Sequence, residues 1–214
     1  MKITAIIGTN RRNGNVERIC KRIIEGAEKN GHESEIINLY DYKINECRGC
    51  WACAKLKRCI IEDDFSEIYR KLEKTDCIIL GAPSYWGNVP GIMKNFFDRH
   101  TGYAMYKPEN AAEFHKLKGI DKFKVIKKEM KKFGPVEAMR NKKIIFVTAL
   151  TAPFPVSHIS GDLPVTLKAM KIYAKKLKCK IVGKVVYTDT LLKIRKNKEK
   201  KIMEKAYKLG EKLK

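Results

Sequence analysis

Two hydrophobic periods alternate along this chain. Residues 3–7, Ile-Thr-Ala-Ile-Ile, form a short apolar run closed by Gly8, as a buried central strand would. From Asn15 the period changes: Val16, Ile19, Cys20, Ile23, Ile24 and Ala27 fall at helical spacing, and Gly31 is placed to stop the helix after Asn30. A second strand is predicted over residues 35–39, with Asp63 and Asp64 capping a helix that turns Phe65, Ile68, Tyr69 and Leu72 inward. Residues 77–81 read as a third strand, followed by a helix from about 91 to 99. Residues 144–147 resume the sheet. Leu163, Leu167, Met170, Ala174 and Leu177 then mark one side of a helix, residues 181–187 a fifth strand, and Ile202, Ala206, Leu209 and Leu213 a closing amphipathic helix.

Strands that alternate with helices imply right-handed crossovers. The expected fold is therefore α/β, a flavodoxin-like three-layer sandwich around a five-stranded parallel sheet of order 2-1-3-4-5. Residues 103–142 interrupt the alternation before strand 4 with a lysine-rich insertion, in which Phe123, Ile126, Met130 and Phe133 share a helical face. With no internal repeat or linker in view, residues 1–214 are expected to form a single domain. Ligands of such sheets bind beyond the carboxyl ends of the strands. The loops there begin near Thr9, Cys47, Pro83 and Leu150, which puts all the unusual chemistry on one edge.

Composition narrows the classes. No apolar run approaches the roughly 20 residues of a membrane helix, and the first apolar run is too short for a secretory signal, so no membrane association and a cytoplasmic location are expected. The formal net charge is +22. It is spread over the polar faces of most segments, so a solvated lysine surface explains much of it. Such a charge also attracts acidic partners.

The loop Gly8-Thr-Asn-Arg-Arg-Asn-Gly14-Asn-Val16 leaves a strand and enters a helix, which makes it an anion site. Thr9, Asn10, Arg11, Arg12, Asn13, Gly14, Asn15 and Val16 are its candidate residues. It lacks the Gly-Lys-Ser/Thr of nucleotide loops and the Gly-x-Gly-x-x-Gly of dinucleotide loops, so a terminal monophosphate fits best. After strand 3, Pro83, Ser84, Tyr85, Trp86, Gly87 and Asn88 combine aromatics, a hydroxyl and an amide with pliable backbone, as a flat heteroaromatic ring requires. Phosphate at one loop and ring at the other describe FMN.

Cys47, Cys50, Cys53 and Cys59 crowd into thirteen residues, separated by two, two and five others. Thiolates so close repel one another unless a cation, a cluster or disulfide chemistry takes up their charge. Compact all-thiolate spacing favours a 4Fe-4S cluster, with zinc or redox-active disulfides as alternatives. Arg48, Lys55, Lys57 and Arg58 interleave these ligands, and their charge is expected to raise a cluster's potential. Cys20 and Cys77 fall on apolar faces as inert core thiols, and Cys179 as a structural one. His32, His100, His115 and His158 show no metal spacing and are expected at the surface or as caps, His158 alone having a position from which it could face the flavin. Asp98 and Arg99 are expected to form an ion pair at a helix end.

Residues 8–15, Gly81-Ala-Pro-Ser-Tyr-Trp-Gly-Asn88 and Lys94-Asn-Phe-Phe-Asp-Arg99 resemble the flavodoxin-like NAD(P)H-dependent FMN reductases, and the cysteine stretch resembles their archaeal-type iron-sulfur flavoprotein branch. Thr9 stands where that family usually has Ser, and Val16 where a Thr often follows, which removes one phosphate contact. The resemblance implies FMN phosphate at the first loop, the isoalloxazine at the third, and electron transfer with no acid or base side chain. It further implies a ferredoxin-like acidic electron donor and a homo-oligomer, dimer or tetramer. An NAD(P)H-dependent reductase of FMN or quinones with no cluster is the alternative. A zinc-holding nucleic-acid binder ranks last, because it leaves the two FMN loops without a role, so no nucleic-acid partner is expected.

Overall fold

Strand β1, Lys2–Ile7, runs through the middle of a parallel sheet with β2, Glu33–Asn38, on one side and β3, Cys77–Pro83, on the other. Strands β4, Lys143–Ala149, and β5, Lys180–Tyr187, complete the order β2-β1-β3-β4-β5. The expected flavodoxin-like topology is thus the one found. The computed structural model describes residues 1–56, 58–101, 118–121, 123–124, 139–190 and 196–214. Within these, the helices are α1 Asn15–Glu28, α2 Ala52–Leu56, α3 Phe65–Glu73, α4 Gly91–Arg99, α5 Val156–Ile159, α6 Asp162–Lys176 and α7 Lys196–Glu211. Most of the lysine-rich stretch 103–142, with Ile126, Met130 and Phe133, lies outside the described residues, whereas Phe123 is exposed.

The period of two along the strands sorts their side chains to two cores. Ile3, Ala5 and Ile7 of β1 join Val16, Ile19 and Ile23 of α1 and Ala206 of α7 on one face. Ile6 joins Ile37, Leu80 and Phe146 on the other, under Phe65 and Leu72 of α3, Phe96 of α4 and Met170 of α6. All seven residues of β3 are buried, as a strand covered on both faces requires. Each large apolar side chain so buried contributes about 1.5–3 kcal/mol.

Two close approaches fix α1. A Cβ on Gly210 would collide with the carbonyl oxygen of Ile23, so α1 and α7 cross backbone against backbone. At Gly81 a Cβ would lie 2.6 Å from Cys20 Sγ and 3.0 Å from Val16 Cγ1, so β3 must lack a side chain where the first turns of α1 rest on it.

Burial confirms Cys20 and Cys77 as core thiols. It pushes the Cys77 thiol up to about 12 and the Cys20 thiol higher still. The short apolar strands and the amphipathic helices therefore agree with the reading of periodicity, with strand boundaries moved by one or two residues and the closing helix starting at Lys196, six residues before the first apolar position that marks it.

Candidate functional site

The loops after β1, β3, β4 and β5 enclose a cleft of about 460 Å³, within the range of about 300–1,000 Å³ usual for small-molecule sites. Thr9, Arg11, Gly14, Asn15 and Val16 line one wall, and Pro83, Ser84, Tyr85 and Trp86 another. Gly14 caps α1 in an extended conformation and brings no side chain to the first-turn amides. Those amides are the donors open to an anion at this end of the cleft. Thr9 is buried. Its hydroxyl accepts the Arg11 N–H at 3.2 Å and its carbonyl accepts Asn38 Nδ2 at 3.0 Å, which pins the loop to the end of β2.

Not every residue expected here lines the cleft. Arg12 is paired with Asp41, and Asn13, at φ 54°, donates its N–H to Glu17 Oε2 at 2.8 Å. Burial pushes the Glu17 carboxyl up, but its bonds with Lys21 and Asn13 outweigh that and hold it below the ordinary value. Asn10, Gly87 and Asn88 also lie outside the lining. Ser84 Oγ is engaged with Thr166 Oγ1 at 2.7 Å and the Asp162 carbonyl at 3.2 Å, so it ties the third loop to α6.

Trp86 is fully exposed although it sits at φ 51°, where a bulky residue is strained. Tyr85 and Asn88 exchange backbone hydrogen bonds of 2.8 and 3.0 Å around it, and Gly87 also has positive φ, the pattern of a type I′ turn. The turn presents Trp86 to whatever occupies the cleft mouth. Thr151 and Thr190 line the cleft without having been picked from the sequence. Applying the carboxyl-edge rule to the fifth strand would have found Thr190. His158 packs edge-on against Phe154, 5.1 Å between ring centres, and does not line the cleft.

The second site is a cavity of about 260 Å³ with Cys47, Cys50, Cys53 and Cys59 all on its wall, together with Arg48, Trp51, Asp98 and Arg99. Positive φ at Gly49 and Trp51 turns the loop between the first three cysteines. Burial raises the Cys53 pKa first, and the charges of Cys59, Cys50 and Cys47 raise it further. That is the mutual repulsion their spacing predicts. Among the described residues no three His, Cys, Asp or Glu side chains converge closely enough to hold one metal ion. Lys57 and the side chain of Lys55 lie outside the described residues.

Helix α4 joins the two sites. It starts just after the third loop, and its last residue, Arg99, reaches the cysteine cavity. The expected Asp98–Arg99 pair does not form. Neighbouring helical residues point about 100° apart, so Asp98 turns outward to Lys94 at 2.6 Å while Arg99 turns inward to Asp63, both side chains of that pair being wholly buried. Asp63 also accepts the Phe65 N–H at 3.1 Å, while Asp64, at the cap position of α3, accepts Lys43 N–H instead at 2.6 Å. His100 is buried, not exposed. Burial in an aromatic cage, with Arg99 beside it, lowers its pKa to about 4 despite the Phe96 carbonyl bond.

Comparison with known proteins adds a family to this geometry. The family model described as NADPH-dependent FMN reductase matches residues 1–116. An iron-sulfur flavoprotein of Archaeoglobus fulgidus is 46% identical over 100 residues, 46% of this chain and 48% of that protein. One from Methanosarcina thermophila is 39% identical over 99 residues, 46% of this chain and 52% of its own. The chain thus aligns with about half the length of these curated relatives. Among solved structures, an NAD(P)H:quinone oxidoreductase from Methanothermobacter marburgensis superposes with a TM-score of 0.72 at 13% identity, covering 99% of this chain and 96% of that one, which speaks for the fold.

Proposed function

This chain belongs to the NADPH-dependent FMN reductase family, whose model spans residues 1–116 of its 214, and from that premise we propose a two-centre redox protein. FMN occupies the cleft beside α1, and a 4Fe-4S cluster is held by Cys47, Cys50, Cys53 and Cys59. The observation that carries the reading is that all four cysteines line one cavity. Four thiols from one compact loop around a shared space suit the all-thiolate shell of a multi-atom cluster better than the paired knuckles usual for structural zinc.

The residues of the cleft fit FMN phosphate at one end and its ring at the other. The uncapped first turn of α1 supplies amide donors, Arg11 supplies charge, and Thr9 keeps the loop in place. Tyr85 and Trp86 offer flat apolar faces near the mouth, and Thr151 and Thr190 offer hydroxyls to polar edges. FMN exchanges one or two electrons and a cluster one, so the pair links one-electron carriers with two-electron acceptors. The chain's own part is placement and electrostatics. Its charge of +22 would draw an acidic, ferredoxin-like donor at low ionic strength. A homo-oligomer, dimer or tetramer, would cover the exposed Trp86, Phe154 and Ile159 near this edge. Among the described residues no helix is long and apolar enough to cross a membrane.

Anaerobic purification followed by assay of iron, acid-labile sulfide and released FMN tests the reading. The expected result is about four irons and one FMN per chain; zinc or no metal would overturn it. The family match itself favours a second reading, NAD(P)H-dependent reduction of FMN or quinones. Steady-state NAD(P)H oxidation by protein shown to lack iron would select that alternative.

A further inference from the structure

Arg99 is a buried cation beside the cysteine cavity, and its bonds run to both ends of their loop. One guanidinium nitrogen donates to the Asn45 carbonyl at 2.7 Å, on the incoming side, and to Asp63 Oδ2 at 2.6 Å, on the outgoing side. The other donates to Asp63 Oδ1 at 2.9 Å and, weakly, to the Ile61 carbonyl at 3.5 Å. Asp63 closes the ring by accepting the Asn45 N–H at 2.8 Å. All four cysteines hang between these anchors. The guanidinium also lies over the Phe65 ring, 4.7 Å from its centre.

A buried ion pair is a poor device for stability alone, because desolvating two charges costs about as much as their attraction returns. Its position gives it another use. Arg99 lines the cysteine cavity and Asp63 does not, so the pair presents its positive end to the thiols. Asp98, the acid on that wall, is half exposed and engaged by Lys94. Arg48 adds a second cation from the loop itself. A guanidinium keeps its charge in any protein environment, and here both Asp63 oxygens face it.

We propose that Arg99 is a positioning residue for the centre held by the cysteines: with Asp63 it closes the neck of the loop, and its permanent charge beside Cys59 raises that centre's reduction potential. This rests on the cluster assignment above. Reduction adds negative charge to the centre, so a neighbouring cation favours the reduced form and a neighbouring anion disfavours it. The two partners should therefore shift the potential in opposite directions.

The test compares wild type, Arg99→Gln, Arg99→Lys and Asp63→Asn, each assayed for iron, sulfide and FMN and titrated electrochemically with EPR detection. A wild type without iron removes the cluster assignment itself, before any variant is read. With iron present, Arg99→Gln is expected to shift the one-electron equilibrium about tenfold toward the oxidised centre, about 59 mV. Asp63→Asn is expected to shift it in the opposite sense. Arg99→Lys, which keeps the charge but loses the two-pronged geometry, should hold the potential within threefold of wild type while lowering iron content at least twofold. FMN near one per chain in each variant reports an intact sheet. If Arg99→Gln fails to fold, the Asp63→Asn shift decides. Unchanged potentials in the soluble variants, or shifts of the same sign in Arg99→Gln and Asp63→Asn, overturn the proposal.

Discussion

The cleft beside α1 and the cavity lined by the cysteines belong to one sheet but are built from different parts of the chain. The cleft is largely a matter of backbone: an uncapped helix end, a strand that must lack a side chain at Gly81, and a tight turn that displays Trp86. Its supports are the buried β1 and β3. The cavity is a matter of side chains, four thiols on a mostly exposed loop whose neck is held by Arg99 and Asp63. A backbone site tolerates changes of side chain but not of packing beneath it. A side-chain site responds in the opposite way.

The largest effect expected from this contrast is at the cysteines. Replacing any one of Cys47, Cys50, Cys53 or Cys59 by Ala should abolish nearly all iron binding while FMN stays near one per chain. Loss of FMN and iron together in every variant would show that the two sites are one cooperative unit and end the comparison.

Acid should strain the cysteine side next. His100 donates from Nδ1 to the Phe96 carbonyl at 2.7 Å and lies 3.4 Å from the Tyr173 hydroxyl through Nε2, so the neutral ring is satisfied, whereas a charged ring would be buried among aromatics beside the Arg99 cation. Its folded pKa of about 4 lies below the usual 6.5. The unfolded chain thus takes up the proton first. The stability from His100 is fully present above about pH 6.5 and is lost as pH falls toward 4, amounting to about 3 kcal/mol. Urea midpoints measured from pH 7 to 4 check this, and a His100→Phe variant should show a flatter profile. Since His100 follows Arg99 directly, iron should leave at a higher pH than FMN.

How far the sequence led depends on what kind of interaction was being read. Strand order and the five helices α1, α3, α4, α6 and α7 that pack on the sheet follow from apolar period, because burying an apolar stripe leaves few choices. The cysteines and the turn at Gly87 were visible because their residue types have few ordinary uses. Pairings across the fold were not. Asp98 next to Arg99 suggested a pair, yet the true partner, Asp63, is 36 residues away. The lack of metal spacing places His100 at the surface or as a cap, whereas Met93, Phe96 and His100 recur at helical spacing, the period that marks a buried face, and His100 is buried. Thr190 was missed because the fifth loop carries no distinctive residue.

Packing under the cleft gives a third prediction. Gly81→Ala puts a methyl group 2.6 Å from Cys20 Sγ and 3.0 Å from Val16 Cγ1, so α1 must shift or the thiol must find a new rotamer. Overpacking of this kind costs about 1–3 kcal/mol. Because Val16 also lines the cleft, FMN affinity should fall by at least tenfold while iron content is unchanged. The companion change Cys20→Ala should restore part of both stability and affinity, by removing the atom that collides. An unaffected FMN affinity in Gly81→Ala would show that the helix end does not set the phosphate site.

The smallest effect should come from the turn, and it separates stability from binding. Trp86 occupies the left-handed region with no packing to offset the strain, being fully exposed. Asn tolerates that conformation, and Asn-Gly is the pair a type I′ turn favours. Trp86→Asn should therefore stabilise the flavin-free protein by about 1 kcal/mol, measured as a higher urea midpoint with unchanged slope. The same change removes an aromatic face from the cleft, so FMN should bind several-fold more weakly. A turn that gains stability as it loses affinity is strained for the sake of its ligand. If instead affinity is unchanged and stability rises, Trp86 faces something other than the flavin, and a partner subunit becomes the surface to search.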